Sequence, residues 1–161
     1  MKTYLEQENV IRRWIVTFII CLVLSGLTAF ALETELGWLV GDWPIGKNGD
    51  LYIWVLKVYE ALKDINSRYP FLAYGYDWLA FAHLVIALAF IGPLRDPVRN
   101  KWIIEFGMLA CVLVFPLAFI AGGIRGIPIY WRLIDCSFGL IGLLPLSICY
   151  RKIRLLEAEG R

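Results

Sequence analysis

The sequence predicts an all-α integral membrane protein: a four-helix bundle with one additional amphipathic extracytoplasmic helix. Three observations predict it. Hydrophobic residues are 60% of the chain and the mean hydropathy is +0.66, where soluble domains hold roughly 45–50% apolar residues. The excess falls in four runs, at 14–31, 74–94, 102–124 and 131–150, each near the ~20 residues that cross a bilayer. Between the first and second runs, Leu51, Trp54, Val55, Val58, Leu62 and Ile65 recur at helical spacing, with Lys57, Glu60, Lys63 and Asp64 on the other side. That periodicity is a helix too polar to span.

At 161 residues the length suits one transmembrane domain over 1–161. Residues 1–13 read as a polar tail ending in Arg12 and Arg13. Basic residues before an apolar run also suit a signal peptide. The run is longer than a signal's h-region, and Ala29–Ala31 is the one cleavage-like stretch, so we read a retained first span. Its small residues Cys21, Ser25 and Ala29, four apart, would admit a neighbouring backbone.

Residues 32–73 form the longest connection. It opens with Glu33, Glu35, Trp38, Asp42, Trp43 and Pro44, then a turn-rich 46–50, with Asp50 in place as an N-cap. The helix that follows lasts about four turns. It is expected on the membrane surface or capping the bundle, with Trp54 and the tyrosines after Arg68 at head-group level.

The second span carries Asp77 near its start and the single histidine, His83, and ends at Gly92 and Pro93. A short basic link, 95–101, leads to the third span. There Glu105 suits a salt bridge with Arg95, Arg99 or Lys101, and Pro116 suits a kink. Gly107, Cys111 and Val114 form a second small-residue stripe. The tight turn 122–128 makes spans three and four antiparallel neighbours. Span four holds Gly139, Gly142 and Pro145, and Arg151, Lys152 and Arg154 stop it before a polar tail, 155–161.

Basic residues set the orientation. Lys2, Arg12, Arg13, Arg95, Arg99, Lys101, Arg151, Lys152, Arg154 and Arg161 fall on one side. The other side has Lys47, Lys57, Lys63, Arg68, Arg125 and Arg132. Both termini are therefore expected in the cytoplasm of a multi-pass protein of the cell (plasma or inner) membrane, with 32–73 and the Arg125 turn outside.

On that topology Asp77, His83, Arg125, Arg132 and Asp135 collect toward the outer side, with Trp78, Tyr130 and Trp131 beside them. An aspartate within a span is costly unless partnered, ~2.5–3.5 kcal/mol at mid-helix, and is a functional candidate by default. Arg132, three residues before Asp135, lies on the same helix face and is the nearest partner. The plain alternative is that Arg132–Asp135 and Arg125–Asp77 are ion pairs fixing helix register, with His83 bonded to a neighbouring carbonyl or carboxylate. Asp77 and His83 sit six residues and hence ~120° apart around their helix.

Several functions are excluded or weakened. A net charge of +2 with no basic patch gives no case for nucleic acid. One histidine and no Cys/His spacing leave no ordinary metal site in one chain, and no cofactor is indicated. Cys21, Cys111, Cys136 and Cys149 all lie in apolar runs, and the CxxC of disulfide-forming quinone reductases is absent. There is no P-loop, GxGxxG or GxSxG.

The reading favoured is a binding protein, holding a lipid or small lipophilic or anionic ligand in an outer-side pocket. An enzyme acting on a lipid head group, with His83 and Asp77 or Asp135 as acid and base, is one alternative. A structural or accessory subunit, docking as a homo-oligomer or in a larger membrane complex, is the other.

Overall fold

A computed structural model describes residues 2–44 and 47–158, the side chains of 2–5 excepted. Gly46 of the 46–50 turn and Arg161 of the C-terminal tail lie outside the described residues. Helices α1 (Lys2–Phe30), α2 (Leu32–Gly41), α3 (Asp50–Arg68), α4 (Tyr74–Ala89), α5 (Ile91–Arg95), α6 (Lys101–Ile124) and α7 (Ile129–Ala158) follow in order, with a 3₁₀ turn at Pro70–Leu72. No strand occurs among the described residues. Four segments are long and apolar enough to cross a membrane: Glu6–Phe30, Pro70–Arg95, Lys101–Ile124 and Ile129–Ala158.

The chain divides into two compact units. One comprises Met1–Cys21 with Ala87–Arg161, the other Leu22–Ile86.

The first unit is built on the α6–α7 hairpin. Gly107 faces Leu146, Cys111 faces Gly139 and Gly142, and Gly122 faces Arg132. Lys101 pairs with Glu157 at 2.8 Å. Numbers fall along α7 as they rise along α6, so the helices are antiparallel over their whole length. Glycine makes this approach possible. A Cβ on Gly139 would stand 2.6 Å from the Cys111 carbonyl oxygen, and one on Gly107 2.7 Å from Cζ of Phe90, whose ring fills that notch. Gly107 and Cys111 of the second stripe thus meet a neighbour as their sizes imply, with Val114 beside Gly139. On α7 the buried residues Cys136, Gly139, Leu146, Cys149, Ile153 and Leu156 trace one face at steps of three, four and seven.

Three expectations about this unit are corrected. Residues 2–13 continue the helix instead of forming a tail, because Arg12 reaches Glu8 one turn back at 2.7 Å and Ile11 and Ile15 are fully buried. The Cys149 thiol donates to the Ile11 carbonyl at 3.6 Å. Likewise α7 runs on to Ala158, since Ile153 and Leu156 still have apolar neighbours to bury against. Glu105 is exposed and makes no ion pair among the described residues, because Lys101 turns to Glu157. Both α6 and α7 continue through their prolines, Pro116 and Pro145.

The link 95–101 is a polar knot. Asn100 Nδ2 donates to the carbonyls of Gly92 (3.1 Å) and Asp96 (2.9 Å), and Asp96 Oδ1 accepts from the Arg99 amide at 3.0 Å.

In the second unit α2 is a helix the sequence did not announce. It packs antiparallel to α3: Gly37 lies under the Tyr59 ring, and Trp43 meets Tyr52 edge-on at 5.3 Å. The N-cap of α3 falls on Gly49, whose backbone is extended, and Asp50 becomes the first helical residue. There its charge suits the positive end of the helix. The backbone approach between α1 and α4 falls on Gly26 rather than on Cys21, Ser25 and Ala29: a Cβ at Gly26 would stand 2.9 Å from the Ala80 carbonyl oxygen. Gly26 is buried while Cys21 and Ser25 are exposed, about one residue round the helix.

Two replacements separate backbone contact from side-chain contact. Gly139→Ala sets a methyl against an immovable carbonyl and is expected to destabilise the protein by about 1–3 kcal/mol. Gly142→Ala meets the Cys111 Sγ at 2.9 Å, which can rotate away, so its loss should be smaller. Equilibrium unfolding in mixed micelles measures both.

Candidate functional site

The α6–α7 turn is closed by its own backbone. The Ile127 amide donates to the Gly122 carbonyl at 2.8 Å and the Gly126 amide to that of Gly123 at 3.2 Å, with Gly126 at φ +66°. This is a Schellman close, in which a glycine in the left-handed region satisfies the last carbonyls of the helix.

Arg132, on the first turn of α7, locks it. Its side chain lies across Gly122, where a Cβ would stand 3.0 Å from Cδ, and its Nε donates to the Ile127 carbonyl at 2.6 Å. The expected Arg132–Asp135 pair is therefore corrected. A carbonyl left over by the turn lies within reach of the guanidinium, and a planar fork can meet it without turning down the helix.

Asp135 sits three residues further along α7, about 4.5 Å deeper by helix rise. It is half-buried and has no ion pair or side-chain hydrogen bond among the described residues. Arg125, the C-cap residue of α6, is exposed and its side chain is likewise without a partner there. A cation at that helix end complements the dipole. Tyr130 and Trp131 are half-buried on the first turn of α7.

Asp77, Trp78 and His83 belong to the other unit. Asp77 is in the first turn of α4, where a negative charge suits the dipole. Trp78 is exposed and stands edge-on between Tyr74 and Phe81, with ring centroids 5.9 and 6.0 Å away.

His83 lies thirteen residues after Pro70 and twelve before Arg95, the ends of its candidate span, and so near the middle of that segment. Its Nδ1 is 2.8 Å from the Leu79 carbonyl oxygen. A carbonyl only accepts, so Nδ1 carries the proton. In the neutral ring Nε2 is then the lone-pair nitrogen, and it has no partner among the described residues. The Cβ of His83 packs where Gly26 lacks one.

The second unit also contains a polar relay that sequence reasoning missed. Tyr76 Oη donates to Asn66 Oδ1 at 2.9 Å, and Asn66 Nδ2 donates to Glu33 Oε2. One asparagine thereby ties the starts of α2 and α4 to the end of α3. No local signal announces it, because Glu33 and Asn66 are 33 residues apart.

Compared with family models, with curated proteins and with solved structures, the chain matches none.

The tautomer and the turn are each checkable. In the neutral protein the ¹⁵N shifts of His83 should show Nδ1 protonated and Nε2 bare; the reverse pattern would remove the Leu79 hydrogen bond. Gly126→Ala should lower stability by about 1–2 kcal/mol through left-handed strain, and Gly126→Asn by less, read from unfolding in micelles.

Proposed function

We propose that this is a multi-pass protein of the cell membrane that holds an anionic, lipophilic ligand at the α6–α7 turn, which faces outward while both termini are cytoplasmic. The unpaired Arg125–Asp135 end of the hairpin carries the reading. Two guanidiniums and a carboxylate lie within a short stretch of one turn, yet none is ion-paired with another. Register-fixing ion pairs would consume these charges against each other. A ligand site leaves them for something that arrives from outside.

Arg132 holds the turn, and Arg125 is the group open to an anionic head. Trp131 offers an amphipathic ring of the kind found at membrane interfaces. The basic bias toward the ends carrying Arg12, Arg13, Arg151, Lys152 and Arg154 supports cytoplasmic termini. The exposed Lys57, Glu60, Lys63 and Asp64 beside the buried Val55 support an amphipathic α3 in the connection between spans one and two, which the basic bias then puts outside.

A second reading has a specific observation behind it. The bare Nε2 of His83 is the form a general base needs, so the protein is an enzyme in this alternative, with Asp77 on the same helix. The mid-span place of His83 favours a lipophilic group over a head group as its partner. An accessory subunit, by contrast, would require the Arg125 turn to be covered by another chain.

Retention of anionic lipid tests the ligand reading. Native mass spectrometry of the protein from bilayers containing phosphatidylglycerol should show bound anionic lipid, reduced several-fold by Arg125→Ala with the fold intact. Equal retention by the variant would discard the site. Topology is tested on intact cells with an Arg125→Cys variant and an impermeant maleimide, for which labelling from outside is expected.

A further inference from the structure

The α2–α3 hairpin presents two chemistries. On α2 the exposed positions are Thr34, Trp38, Leu39 and Gly41, while its two carboxylates, Glu33 and Glu35, are half-buried. Trp38 is 69% exposed and Leu39 44%. On α3 the exposed positions include Lys57, Glu60, Lys63, Asp64 and Arg68, together with Leu51 and Ile53 of its first turn, while Val55, Val58, Leu62 and Ile65 are buried or half-buried.

Chain continuity sets α2 at the end of the first candidate span. It starts one residue after α1 ends: Phe30 closes the first span, and Leu32 opens α2. The polar relay fixes that junction. Glu33, three residues past the span, is bonded to Asn66, and Asn66 to Tyr76, six residues into the next candidate span and in the first turn of α4. The start of α2 is thus held beside the first turn of α4. Immediately beside the relay, Phe71 and Tyr74 are 70% and 62% exposed, a further pair of large rings of the interfacial type.

We propose that α2 lies in the interfacial zone of the bilayer, with Trp38 and Leu39 in contact with lipid, and that α3 is stacked on it away from the membrane with its charges in water. The lipid-contacting element of the connection is therefore α2, and the more polar α3 is its cover. Trp38 and Leu39 suit the interfacial zone because they are large and apolar, with an indole N–H for the ester and head-group layer, and the carboxylates of Glu35 and Asp42 one turn to either side still reach water there. This assignment is independent of the ligand at the Arg125 turn.

The test uses the full chain in phosphatidylcholine vesicles, with a benzophenone amino acid replacing Trp38, Leu39 or Lys63 in three separate variants. Irradiation and mass spectrometry count lipid adducts. Positions 38 and 39 should yield lipid adducts several-fold above position 63. Equal yields at all three positions, or adducts at 38 and 39 to a second protein chain in place of lipid, would overturn the proposal. Unchanged anionic-lipid retention in the Leu39 variant separates this result from the fate of the Arg125 site.

Discussion

Of the glycines described in the first unit, Gly139 is the one whose added Cβ would meet a neighbour most closely, the Cys111 carbonyl oxygen at 2.6 Å. In lipid the hydrophobic effect does not drive helix against helix, so contact area and the absence of side chains decide where two helices meet. Once Gly139 sits on α6, the register of the hairpin follows in both directions. Gly107 opens the notch that Phe90 fills, and Gly122 opens the one that Arg132 crosses. At the far end Lys101 finds Glu157. A shift of one residue would bring a Cβ onto a carbonyl and separate that ion pair.

Polar groups in the spans follow a second constraint: none is cheap to leave without a partner in lipid. Thr17, Thr28 and Ser137 return their hydroxyls to carbonyls three or four residues earlier. His83 does the same with one ring nitrogen. Asp135 has no such bond among the described residues, nor has Glu105 near the start of α6, and it is the position of Asp135 beside Arg125 and Arg132 in the chain that marks the α6–α7 turn as the candidate site. Arg132 is held by a carbonyl of the turn, while Arg125 and Asp135 have no ion pair among the described residues.

Much of the molecule was legible in the residue pattern. The four long apolar helices, the tight turn before Pro128, the close packing of Gly107, Cys111 and Gly139 and the helix of 51–65 all follow from composition and spacing. The misses share a cause. The polar segments 2–13 and 155–158 read as tails because their charges dominate a local window, yet each is helical through contacts elsewhere. Ile11 and Leu156 are buried, and Glu157 meets a lysine 56 residues earlier. The helix α2 was hidden because glutamates and tryptophans beside Gly37 read as loop, whereas Gly37 is the seat for Tyr59. Of the candidate site, the partner of Arg132 was not foreseen. Sequence spacing offers Asp135 on the same face and cannot see a carbonyl presented by a turn.

By itself, then, the sequence determined that four segments are long and apolar enough to span, that the rest is helical or turn, and which few ionisable residues would be costly inside lipid. Those are properties of single segments, set by side-chain transfer energies and by 3.6-residue periodicity. Tertiary structure decided which glycine carries each contact, where each helix stops, and which polar groups are satisfied. Such outcomes depend on distances between residues far apart in the chain: the carbonyl that receives Arg132, the carboxylate that receives Asn66, the neighbour that Asp135 lacks.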